Sequence, residues 1–198
     1  MTLKRTAWYG MTFLALAVSS YAIAILALPS IRNEFLIALF AKSALAAHAH
    51  LLGGAVALAI GPFQLSSRFR SRHLSLHRML GRVYVGAVLV GGLGSLSLAV
   101  SASGGLAGKV GFGMMATVWL ICTTMAFVSI RSRRVADHQV WMIRSYAATL
   151  SAVTLRIYLP ISIMAGYEFA VVYPVIAWLS WVPNLLIADW FFVRRVTA

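Results

Sequence analysis

The sequence predicts an all-α fold, an integral membrane bundle of six transmembrane helices with both termini cytoplasmic. Composition is the first reason. Of 198 residues, 61% are hydrophobic and 11% charged, with a mean hydropathy of +0.87, whereas soluble domains carry roughly a quarter charged residues. The second reason is run length: six apolar stretches each reach the ~20 residues that cross about 30 Å of hydrocarbon. The third is where the cations fall. Lys4 and Arg5, then Arg68, Arg70, Arg72, Arg78 and Arg82, then Arg131, Arg133 and Arg134, then Arg194 and Arg195 all lie on one side, leaving Arg32, Lys42 and Lys109 in the opposite loops. By the positive-inside rule the arginine-rich side is the cytoplasm. The net charge of +13 then reads as topology and attraction to anionic lipid headgroups, with no nucleic-acid partner. A multi-pass membrane protein is expected.

The elements follow in chain order. The first apolar stretch, approximately 7–28, follows a Lys-Arg pair and is longer than a signal-peptide core, so it reads as an uncleaved anchor. The next loop, PSIRNEFLIALFAKSA, is half apolar and reads as an amphipathic piece in the interface. Further spans are expected at approximately 45–65, 79–102, 110–130, 140–163 and 169–193, making residues 1–198 a single transmembrane domain. The loops hold no soluble catalytic domain. The single Cys122 lies in an apolar run, so there is no disulfide framework.

Polar residues in a membrane segment are costly and usually face the bundle interior. At 100° per residue, three polar or small-residue stripes emerge. In 45–65, His50, Gly54, Ala57, Gly61 and Gln64 share a face, with His48 nearly opposite. In 79–102 and the turn before it, His77, Gly81, Tyr84, Val88, Gly91 or Gly92, and Ser95 align, while His73 sits at headgroup level. In 140–163 and its approach, His138, Trp141, Ser145, Thr149, Ala152 and Arg156 align. Arg144 and Asp189 lie off these stripes, and an unpaired intramembrane charge is expensive, so the two are expected to pair. Glu34 and Glu168 fall in outer loops. The histidines are thus layered: Gln64, His77 and His138 near the inner surface, His50 and Arg156 near the outer one.

Two imidazoles facing each other in an apolar bundle suit bis-histidine ligation of haem b, with small-residue stripes leaving room for the flat macrocycle. On this reading His77 and His138 are the metal ligands, and His50, Gln64, Gly81 and Arg156 flank the cofactor. A zinc or copper centre needs more ligands than are offered. No serine–histidine–acid triad or phosphate-binding glycine loop occurs, and four acidic residues are too few for a carboxylate proton relay. Topology and interface anchoring is the plain account of His77 and His138.

The stretches HLLGGAVALAIGPFQL, LHRMLGRVYVG and DHQVWMIRSYAATLSAVTLRIYLP resemble the bacterial polytopic membrane family called domain of unknown function 2306. That resemblance implies an integral, multi-pass protein of the bacterial inner membrane and carries no activity with it. The layout also has a looser likeness to two-haem transmembrane b-type cytochromes of the ascorbate and ferric reductase kind. By that likeness His77 and His138 form the cytoplasmic-side pair, and His50 falls on the first core helix. The third core helix lacks the matching histidine and offers Met114 or Met115. Two functions follow as expectations: a b-type haem electron carrier with a quinone or other redox partner, or a non-enzymatic accessory or sensor subunit whose buried pocket takes lipid, quinone or metal. A larger membrane complex or a homodimer suits either. A transporter ranks third, lacking an internal repeat or paired interrupted helices.

Overall fold

The computed structural model describes residues Thr2–Thr197, which are helices joined by short turns with no strand among them. Six helices are long and apolar enough to cross a membrane: Arg5–Ala27, Ala44–Leu65, Leu74–Val100, Gly105–Arg131, Val135–Met164 and Phe169–Val196. With six crossings, both chain ends emerge on one side. Large apolar side chains such as Phe13, Leu93, Ile121 and Leu186 point outward. In water such a belt would be a liability, and in a bilayer it is the lipid contact.

The first helix, α1 (Thr2–Ala27), is followed by a short 3₁₀ turn and by α2 (Glu34–Lys42), the amphipathic piece expected in the outer loop. Asn33 caps α2 by accepting from the Leu36 amide at 3.0 Å. Glu34 and Lys42 match the two ends of its dipole. Ser43 then caps α3 (Ala44–Leu65). After the basic turn α4 (Ser67–Arg72) come α5 (Leu74–Val100) and α6 (Gly105–Arg131). Gly104, which caps α6 at φ +90°, takes a backbone conformation that side chains disfavour.

The helices run past the boundaries that apolarity sets. α5 starts at Leu74, five residues before the expected 79, and the fifth span starts at Val135. Apolarity marks the hydrocarbon, whereas backbone hydrogen bonding continues into the headgroup region. His77 and His138 therefore sit inside helices. The fifth span divides into α7 (Val135–Thr149) and α8 (Ser151–Met164). Around this joint Thr149 and Thr154 turn their hydroxyls back to the carbonyls of Ser145 and Leu150, a bond that tends to bend helices. The sixth span is α9 (Phe169–Leu179), α10 (Val182–Ala188), a π-helical turn over Asp189–Val193, and α11 (Arg194–Thr197). Pro183 falls in the first turn of α10, where its missing N–H costs little.

Four helices form a closed ring: α3 against α5, α5 against α6, α6 against α7, and α7 back against α3. Consequently α5 and α7 stand diagonally across the ring. α1 and α2 flank α3, and the sixth span lies over α6, α7 and α8. The ring is held by small residues and buried hydroxyls, as expected where lipid removes the usual hydrophobic drive between helices. Ser19 of α1 donates to the Ala55 carbonyl at 2.8 Å. At the centre the fully buried Tyr84 hydroxyl lies 2.9 Å from both Ser145 Oγ and Thr149 Oγ1. Thr123 reaches Ser145 at 2.6 Å and Trp119 Nε1 donates to Thr149 at 2.8 Å.

One contact links sequence to packing directly. Pro62 has no N–H, so the carbonyl of Leu58, four residues earlier, loses its helical partner. Tyr146 supplies the replacement, its hydroxyl donating to Leu58 O at 3.3 Å. Its ring can get there because Gly61 carries no side chain: a Cβ at that position would fall within the Tyr146 ring.

Candidate functional site: two polar layers

The ring puts Gln64 (α3), His77 (α5) and His138 (α7) at the arginine-rich end. His138 Nδ1 lies 2.9 Å from the Ala126 carbonyl of α6. A carbonyl can only accept, so Nδ1 carries the proton, and in the neutral ring Nε2 keeps its lone pair. Orienting one ring nitrogen by a backbone carbonyl is how metal-binding imidazoles are usually held. His77 lies within electrostatic reach of His138, Arg70 and Arg78. Gln64 faces Gly81: a Cβ on Gly81 would lie 3.2 Å from Gln64 Oε1, and no other atom crowds that position.

This end also collects unmet polar atoms. Five buried side-chain N or O atoms among the described residues have no hydrogen-bond partner. Trp8 Nε1, Gln64 Nε2, His77 Nδ1 and Ser129 Oγ belong to the arginine-rich half, and His50 Nδ1 to the far one. Buried polar groups in native proteins are usually satisfied, so these atoms keep hydrogen-bonding capacity that their own neighbours do not use.

The far end holds the second layer, a cavity of about 300 Å³ reached by α1, α2, α3, α5, α6, α8 and α9. His50 and Arg156 line it together with Tyr21, Lys42, Met115 and Tyr173. Arg156 donates to the Ala152 carbonyl of its own helix at 3.0 Å and sits 5.7 Å from the Tyr21 ring centre. Met115 shares this cavity with His50, whereas Met114 is 45% exposed on the outside.

The small-residue stripe on α3, from His50 to Gln64, is a packing face in its middle part. Ala57 is fully buried and the space over Gly61 belongs to Tyr146. Gly54 faces open space, and it is Gly53 that meets α5, its would-be Cβ falling on the backbone of Ala87 and Gly91. Gly94 likewise lies against the Ala46 carbonyl and the His50 amide. Gly53, Gly91 and Gly94 thus bring the α3 and α5 backbones together, and the Tyr146 ring separates the two polar layers along α3. Among the described residues no group of three or more His, Cys, Asp or Glu side chains converges, so a zinc or copper cage finds no ligand set.

A family model described as predicted membrane protein, DUF2306, matches residues 47–192. The chain belongs to this family. No curated protein and no solved structure matches it. The DUF2306 match runs from α3 into the π-helical turn and takes in all six candidate residues: His50, Gln64, Gly81, His77, His138 and Arg156. Outside it lies Tyr21 of α1, which sequence reasoning missed. Lys42 and Ser129 were missed too. The available signals were a tyrosine inside an apolar run, one of few cations in the outer loops, and a serine one turn from the carbonyl that orients His138.

The charge pair expected from the sequence is present in this DUF2306 chain. Arg144 Nε donates to Asp189 Oδ1 at 2.8 Å, with a longer contact of 3.4 Å to Oδ2. Asp189 opens the π-helical turn, and the Arg144 guanidinium also lies over the Trp141 ring, 4.8 Å from its centre. This pair secures the sixth span to α7 and touches neither layer.

Proposed function

We propose that this integral membrane protein is an electron-transfer module that holds one haem b between His77 and His138 at its arginine-rich, cytoplasmic end. One observation carries the reading: two imidazoles come from diagonally opposed helices, and the proton on His138 Nδ1 is held by the Ala126 carbonyl, leaving Nε2 as the donor atom. Two axial ligands suffice for a haem, unlike a zinc cage.

The remaining residues fit one such group and not two. Arg70 and Arg78, close in electrostatic terms to His77, suit its carboxylates, and the Gln64 carboxamide beside Gly81 can turn toward its edge. At the far end His50 has no opposing histidine. Haem supplies one-electron redox chemistry when bound. The chain orients the ligands, keeps the low-dielectric surroundings that tune the potential, and screens the group from water. A membrane quinone is the fitting class of redox partner.

The test is a reduced-minus-oxidised visible spectrum of detergent-purified protein expressed with haem supplied. The expected result is a b-type band that His77→Ala and His138→Ala each abolish while the variants remain monodisperse. A well-folded protein without that band overturns the proposal and leaves the non-redox accessory subunit as its reading.

A further inference from the structure

The far-end cavity has a charge balance that its own residues do not close. Two cations line it, the half-buried Arg156 and the exposed Lys42, whose Nζ donates to the Ser101 carbonyl at 3.3 Å, and no aspartate or glutamate does. The chain's four acidic residues are committed elsewhere or point away. Asp189 holds Arg144 and Asp137 lies 3.5 Å from Arg134, while Glu34 and Glu168 are exposed at the starts of α2 and α9. Arg156 has five N–H donors and uses one on its own helix. A guanidinium within a membrane bundle is expensive unless an anion or an acceptor-rich group neutralises it. His50 lines the same cavity, with its ring beside the Gly91 backbone and its buried Nδ1 without a hydrogen-bond partner.

The remaining walls are mostly apolar: Ile25, Leu36, Leu39, Leu98, Phe112 and Leu155. At about 300 Å³ the space lies at the lower end of the range for small-molecule sites, which combine apolar walls with a few convergent polar groups. A small hydrated anion would leave that apolar wall wet, while a neutral apolar molecule would leave the guanidinium unpaired. Only an amphiphile satisfies both. α2 forms one side of the cavity through Leu36, Leu39 and Lys42, and it lies in the loop that joins the first two candidate spans.

We infer that this cavity binds an amphiphile with an anionic headgroup, a carboxylate or phosphate held by Arg156 and His50 with its hydrocarbon tail against the apolar wall. The inference is independent of the haem layer, which lies at the opposite end of the ring.

The test uses the full chain in phosphatidylcholine nanodiscs, titrated with radiolabelled palmitate, with palmityl alcohol, and with inorganic phosphate. Palmitate is expected to bind saturably, phosphate not to displace it at millimolar concentration, and palmityl alcohol to bind about tenfold or more weakly, the scale of losing a charge-assisted contact. Arg156→Gln is expected to lose a similar factor. Arg156→Lys, which keeps the charge and guards against a folding artefact, should retain most of the affinity. Equal binding of the alcohol and the acid, or palmitate binding unchanged in Arg156→Gln, overturns the proposal. Phosphate binding that excludes palmitate overturns it as well, because the site is then one for a soluble anion.

Discussion

Arg144 and Asp189 illustrate how charge is handled residue by residue. Neither side chain is sealed, with exposures of 28% and 47%, so solvent and headgroups screen the pair. Its contribution is closer to the ~1 kcal/mol of surface pairs than to the several kcal/mol of a buried one. Removing one partner should nevertheless cost more than removing both, since the survivor keeps an unbalanced charge near the hydrocarbon. In a double-mutant cycle on detergent-solubilised protein, Asp189→Asn should lower the thermal midpoint more than Arg144→Gln plus Asp189→Asn combined. Strictly additive losses would mean that the two residues are not coupled. Arg156, by contrast, has no such acidic partner among the described residues.

At the scale of helices, glycine acts by position in the contact and not by membership of a stripe. Gly53 and Gly54 are neighbours in sequence, but a side chain on Gly53 would strike the α5 backbone while one on Gly54 meets open space. Gly53→Ala is therefore expected to destabilise by about 1–3 kcal/mol, the usual cost of overpacking. Gly54→Ala is expected to be neutral or stabilising by up to about 1 kcal/mol, since alanine favours the helix. Unfolding of both variants in a mixed detergent series measures this directly, and a Gly53→Ala protein as stable as the parent would refute the close crossing of α3 and α5. The Gly61–Pro62–Tyr146 contact follows the same logic: one residue vacates space, the next frees a carbonyl, and a third occupies both.

For the whole molecule, six crossings and one-sided arginines set the orientation. Fusions of a fluorescent protein and of alkaline phosphatase to either terminus should both report a cytoplasmic location, and phosphatase activity at either end would invert the assignment. The class, the number of spans and the Arg144–Asp189 partnership were legible in the chain because each depends on a one-dimensional quantity: run length, the side on which cations fall, or a charge in need of its opposite. The faces of α5 and α7 were legible too, since a period of 3.6 residues places Tyr84, Val88, Ser145 and Thr149 inward.

Periodicity gives the direction a side chain points but not the neighbour that meets it. The sequence by itself determined that this is an all-helical membrane protein, with polar residues gathered at two depths. Only the tertiary structure decided that the α3 stripe is plugged by Tyr146, that Met115 and not Met114 joins His50, and that Tyr21 and Lys42 complete the cavity around Arg156. Those outcomes depend on how residues far apart in sequence cross and approach. In a bilayer, helix crossing is governed by close van der Waals fit between small residues, which leaves little trace in apolarity along the chain.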